Sequence, residues 1–171
     1  MSPSLFKAEQ IAPCGMNCGV CSAYLAFSHN IPKERGKIWH CSGCRVRGKK
    51  CAYIKGQCKL LSAGKVTFCY ECPDFPCKRL ENIDRRYQRV YGISFIRNLE
   101  EIRDRGLASF LHTQSKIFLC RKCKMDALSV HNRKCYQCDT ITNWRTTPEK
   151  NCRHGSPNKL KIGALTLDKR R

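Results

Sequence analysis

The 171-residue sequence is poor in acid, with 13 Asp and Glu against 33 Lys and Arg, a formal net charge of +20. It has no apolar run of membrane-spanning length. Met1 to Asn17 contains no apolar stretch long enough for a secretory signal. The expectation is therefore a cytoplasmic chain in a reducing compartment, where disulfides are rare. Also missing are a Ser-His-Asp arrangement, a phosphate-cradling glycine loop and carboxylates paired for acid–base work. Nothing marks a Cys-His nucleophile outside the cysteine groups, so no catalytic residue is assigned. The 42% hydrophobic content includes every cysteine, which leaves a thin aliphatic core. Small segments with thin cores need disulfides or metals to hold them, and the compartment favours metal.

What the chain has in abundance is cysteine, fifteen in all. The clearest group is Cys120-Arg121-Lys122-Cys123 followed after eleven residues by Cys135-Tyr136-Gln137-Cys138. Two such pairs are the signature of a zinc ribbon, in which two tight knuckles supply four thiolates in tetrahedral geometry. Neighbouring lysines and arginines favour the thiolate form. With all four positions taken by protein, the site is structural. Cys152 and His154 follow without matching partners and read as tail residues.

Ten cysteines lie between Cys14 and Cys77. Cys14, Cys18 and Cys21 open the stretch, Cys41 and Cys44 form a pair, Cys51 and Cys58 stand singly, and Cys69, Cys72 and Cys77 close it. All ten are candidate metal ligands, enough for two four-cysteine sites with two left over. Spacing alone does not assign them. Zinc is the first expectation; an iron–sulfur cluster serving redox or electron transfer is the alternative. The spacing of the opening triad equals that of radical S-adenosylmethionine enzymes, but the next sixty residues leave no room for repeated strand–helix units. In the Cys41–Cys44 pair, Gly43 can take positive φ and turn backbone amides toward sulfur. His29, His40, His112 and His131 are scattered. His40 adjoins Cys41, yet a packed or solvated ring is the expected state of each.

Basic density is highest from Lys33 to Lys65, with ten Lys or Arg against Glu34 alone. Lys37, Arg45, Arg47, Lys49, Lys50 and Lys55 are the candidate contacts to nucleic acid, with Trp39, Tyr53 and Phe68 available for stacking. An acidic protein is the other partner that the charge suits. Three zinc–tetrathiolate sites would lower the net charge only to about +14.

The run from Val20 to Phe27 reads as a short helix, and Lys37 to Lys65 as loops and short strands around metal. Asp74 is a plausible N-cap, with Pro76 in the first turn of a helix burying Leu80, Ile83, Tyr87 and Val90. Gly92 stops it, Ser94 caps a second helix carrying Phe95, Ile96, Leu99 and Ile102, and Gly106 stops that one. Leu107, Phe110 and Leu111 suggest a short third turn, and Ile117-Phe118-Leu119 a strand entering Cys120. The expected fold is a small, metal-stabilised α+β chain. It divides into a cysteine-rich module over 1–78, a helical hairpin over 79–115, a zinc ribbon over 116–140 and a basic, largely irregular tail over 141–171.

Three segments together resemble a known family. They are Cys14-Gly15-Met16-Asn17-Cys18-Gly19-Val20-Cys21-Ser22-Ala23-Tyr24, Cys41-Ser42-Gly43-Cys44, and Cys69-Tyr70-Glu71-Cys72-Pro73-Asp74-Phe75-Pro76-Cys77. They are similar to the prokaryotic cysteine-rich family of unknown function numbered 3795, over about residues 10–78. The helices and Cys-x2-Cys pairs that follow resemble its C-terminal continuation. The resemblance implies a bacterial or archaeal cytosolic protein with a metal-binding role, and no particular reaction.

Overall fold

The structure is a computed structural model, described here for residues 4–46 and 55–141. Cys51, Tyr53, Arg47, Lys49, Lys50, the Lys55 side chain and the tail from 142 lie outside the described residues. The described chain is mostly helical: α1 (Ser22–Ser28), α2 (Lys59–Ser62), α3 (Lys78–Tyr91), α4 (Phe95–Arg105) and α5 (Leu107–Phe118), joined by short 3-10 turns. Its β structure, among those residues, consists of isolated antiparallel bridges such as Leu119–Ala127 and Leu128–Cys135.

The core begins in an unusual place. Every residue from 11 to 20 is buried, although the segment is a loop ending in a 3-10 turn, Cys18–Val20. A buried loop must satisfy its own polar groups. Ala12 N–H donates to the Met16 carbonyl at 2.8 Å, and Asn17 Oδ1 accepts from Gly19 N–H at 2.9 Å. Asn98 donates to the Gly15 carbonyl at 2.9 Å. Gly15 has φ +84°, and a Cβ there would lie 2.6 Å from the Phe95 carbonyl oxygen. Only glycine lets α4 approach this closely.

The helical layer follows the expected signals in its middle and departs from them at both ends. Gly92 closes α3 in the left-handed conformation, and Ser94 caps α4 by accepting from Arg97 N–H at 3.1 Å. Gly106 ends α4. Asp74 is not the cap of α3. Proline disfavours helical backbone in the residue before it. The chain turns at Pro73 and Asp74, Phe75 N–H donating to the Cys72 carbonyl at 3.1 Å, and the extended Cys77 is the N-cap residue. Val90 is not buried but 40% exposed. The residue that α3 buries besides Leu80 is Asp84, whose carboxylate accepts from Ser94 Oγ (3.0 Å), Phe95 N–H (2.5 Å) and Ile96 N–H (3.1 Å). It thereby anchors the start of α4 with charge-assisted bonds.

The expected third turn is the full helix α5, and the expected strand at Ile117-Phe118-Leu119 is its end. Gln114 interrupts the apolar pattern in sequence but is buried in the fold, where it accepts from Asn17 Nδ2 at 3.4 Å. Phe110, Leu111, Gln114 and Phe118 therefore form one continuous buried face.

Candidate metal centre

The C-terminal cysteines converge. Cys120, Cys123, Cys135 and Cys138 have their four sulfurs within 4.8 Å of one another, the only such group among the described residues. Cys120 and Cys138 are 3.7 Å apart at sulfur, and Cys123 and Cys135 are 3.6 Å apart. A zinc–sulfur bond of about 2.3 Å in a tetrahedron demands sulfur–sulfur edges of about 3.8 Å. A disulfide would need about 2.05 Å, and all thirteen described cysteines are free thiols. The donor set and its spacing fit one thiophilic ion.

Local backbone explains the convergence. The residue after each pair, Lys124 (φ 55°) or Asp139 (φ 53°), takes left-handed backbone and folds its loop back. Cys120 N–H donates to the Asp126 carbonyl and Cys135 N–H to the Thr140 carbonyl, each at 2.8 Å. Cys138 lies 3.2 Å from Thr140 Oγ1. Hydrogen bonding from Thr140 draws the Cys138 thiol down to about 6, whereas burial pushes Cys135 up to about 12. Of the four, Cys120 and Cys135 are fully buried and the other two partly so.

The N-terminal cysteines are more loosely grouped. Cys18 accepts the Cys44 N–H at 3.4 Å. A hydrogen bond from the Cys44 thiol, with its amide and the Arg45 guanidinium adding, draws Cys18 down to about 7 against its burial. Gly43 has φ +100°, as its place in the pair required, and the amide it orients reaches Cys18 across the module. Burial raises Cys14 to about 11 and Cys69 to about 12. Cys58, Cys69, Cys72 and Cys77 line a cavity of about 380 Å³ with Leu61 and Phe75. Cys51 lies outside the described residues.

Of the cations expected to meet nucleic acid, Arg45 is committed elsewhere. Its Nε donates to the Ile11 carbonyl at 2.6 Å, and its guanidinium covers Phe68 at 4.6 Å from the ring centroid. Phe68 is buried, and Arg45 is partly buried over it. Lys37 pairs with Glu34 on the surface, and Trp39 is 68% exposed. A basic surface that the sequence reading missed is α3, where Lys78, Arg79, Arg85, Arg86 and Arg89 are exposed. The helical period was read there only for its apolar face.

His29, His40 and His131 are packed rather than gathered at a metal. His40 Nε2 donates to the Ile31 carbonyl at 2.7 Å, and His29 Nε2 lies 2.9 Å from Asp126. His131 joins three parts of the chain. Its Nδ1 accepts from Ser22 N–H at 3.2 Å, which leaves the proton on Nε2, 3.3 Å from Tyr87 Oη. Both Tyr87 and Tyr91 meet its ring edge-on. Beside it, Val130 N–H donates to the Val20 carbonyl at 2.8 Å. The quartet's loop is thus bonded to the residues that flank Cys21.

Residues 10–82 match a family described as "Protein of unknown function (DUF3795)". The matched segment holds all ten N-terminal cysteines. The match ends within α3, before α4, α5 and the C-terminal quartet. No curated protein matches the chain, and no solved structure does.

Burial holds the His131 imidazole below its usual pKa, so the unfolded chain binds that proton more readily than the folded one. Stability from this packing is full above the unfolded value of about 6.5 and is lost as pH falls toward the lower folded value. His131→Gln is expected to cost about 1 kcal/mol at pH 7. That cost should shrink on acidification, read as the difference between the two proteins' denaturant midpoints at saturating zinc. A difference unchanged between about pH 5 and 8 would contradict this.

Proposed function

We propose that the protein is a non-catalytic, metal-stabilised interaction module whose C-terminal quartet is a zinc ribbon. The observation that carries this reading is the pair of sulfur–sulfur separations, 3.7 and 3.6 Å, in a quartet with four protein donors. Zinc suits four thiolates in tetrahedral array, and a closed donor set leaves no position for substrate. The four cysteines would hold the ion and the ion would hold their two loops, since folding energy at such sites comes largely from the metal. The N-terminal cysteines are read as thiolate ligands of further metal. No helix among the described residues is long and apolar enough to cross a membrane.

Full-length protein purified without chelator should contain zinc, and its removal should unfold residues 117–140. Circular dichroism and thermal melting after chelation, then after zinc is restored, check this. An unchanged melting curve with metal loss verified would contradict it. A brown protein containing iron and acid-labile sulfide would replace zinc with a cluster.

The partner we infer is a nucleic acid, on the strength of the +20 net charge and the exposed cations of α3. Titration with a labelled single-stranded RNA should give binding that weakens steeply between low and physiological salt. Arg85→Glu combined with Arg89→Glu should weaken it about tenfold or more. Absence of binding at low salt would dispose of this partner.

A further inference from the structure

The fold sorts the described N-terminal cysteines into two neighbourhoods. One surrounds the start of α1. Cys18 opens the 3-10 turn Cys18–Val20, and Cys21 is the N-cap residue of α1. Cys41 N–H donates to the Ala23 carbonyl at 3.0 Å, which docks the second pair on the first turn of α1. Gly43 faces the Tyr24 ring, and Cys44 N–H reaches Cys18 Sγ. The Cys44 N–H, from a distant stretch of chain, therefore points at the Cys18 sulfur, an arrangement that favours a thiolate there. The other neighbourhood is the cavity lined by Cys58, Cys69, Cys72 and Cys77.

We propose that Cys18, Cys21, Cys41 and Cys44 form a second metal centre, taking one thiophilic divalent cation of the zinc type. This rests on the reading of the chain as a thiolate metalloprotein and assigns which thiols share an ion. Three observations select these four. They form two Cys-x2-Cys pairs, the spacing of the C-terminal quartet. The pairs already touch, through Cys44 and Cys18. Of the remaining described cysteines, four line the cavity, and Cys14 belongs to no Cys-x2-Cys pair. The four thiols stand farther apart than those of the C-terminal quartet. An ion would draw them to edges of about 3.8 Å, closing the loop that carries Cys41 and Cys44 onto α1. Because Val20 and Ser22 bond to Val130 and His131, the two centres would brace one shared seam.

Zinc content of the full chain, measured by mass spectrometry of the element, tests the assignment. Cys41→Ser with Cys44→Ser should lose one equivalent relative to wild type while the C-terminal quartet stays protected from alkylation. Cys72→Ser with Cys77→Ser should leave that equivalent in place. A Cys41/Cys44 variant with wild-type zinc content overturns the proposal, as does loss of that equivalent from the Cys72/Cys77 variant alone. Failure of the wider reading looks different: Cys123→Ser with Cys138→Ser would then keep all its zinc. Should a variant not fold, N-ethylmaleimide footprinting of the native protein decides. Cys18, Cys21, Cys41 and Cys44 should become reactive together, in one step, as chelator is added. Labelling of Cys41 and Cys44 in zinc-replete protein overturns the assignment.

Discussion

The hydrogen bond from Val130 N–H to the Val20 carbonyl, 2.8 Å long, joins the two cysteine-rich ends of the chain. Both residues are buried almost completely. A peptide bond pair made inside the protein must be kept, since either group left unpaired there would carry its full desolvation cost. The bond can form only if the loop over residues 128–131 is held in place. Leu128 N–H fastens that loop to the Phe118 carbonyl at the end of α5, and Ser129 N–H to the Lys134 carbonyl. Lys134 directly precedes Cys135. The thiolate quartet is therefore part of what positions the seam, and the seam positions Cys21 through Ser22 and His131.

The helical layer serves the same end. Asp84 sets the start of α4, and α4 covers the buried loop at Gly15. The carbonyl of Phe95 and the side chain of Asn98 both meet this loop, so α4 holds the backbone on which Cys14 and Cys18 stand. α4 also buries Phe95, Leu99 and Ile102 in the core that this loop shares. A handful of charged and amide groups, each buried with its partner, specify how the layers dock. The core itself is small and shares its volume with cysteine. That composition suits a fold whose cooperativity depends on bound metal.

Local features were legible in the sequence. Gly92, Ser94 and Gly106 act within a few residues of their own position, so their meaning survives without tertiary context. The Cys120–Cys138 quartet was legible because its two pairs are near in sequence and alike in spacing. Gly43 was legible as a turn, though the Cys44 amide that follows it serves Cys18 rather than its own pair. What escaped was long-range. Asp84 reads as a solvated helix residue until α4 is placed against it. Gln114 looks like the end of an apolar face until Asn17 meets it. The contacts of Arg45 with Phe68 and the Ile11 carbonyl are likewise long-range. His131 carries no motif, because its partners lie 44 and 109 residues away. The α+β expectation included short strands over residues 37–65 and one at Ile117-Phe118-Leu119, where the burial pattern of α5 prevailed over local propensity.

The chemistry then rests on coupling between the C-terminal ion site and the N-terminal module. Four thiolates closed on an ion would act at a distance, through one backbone bond and one histidine. Amide hydrogen exchange of the full chain, zinc-loaded and after chelation, tests that coupling most directly. Faster exchange is expected not only across 119–141 but also at the amides of Val130 and Ser22 and through residues 14–25. Faster exchange confined to 119–141, with Ser22 and residues 14–25 unchanged, would contradict it.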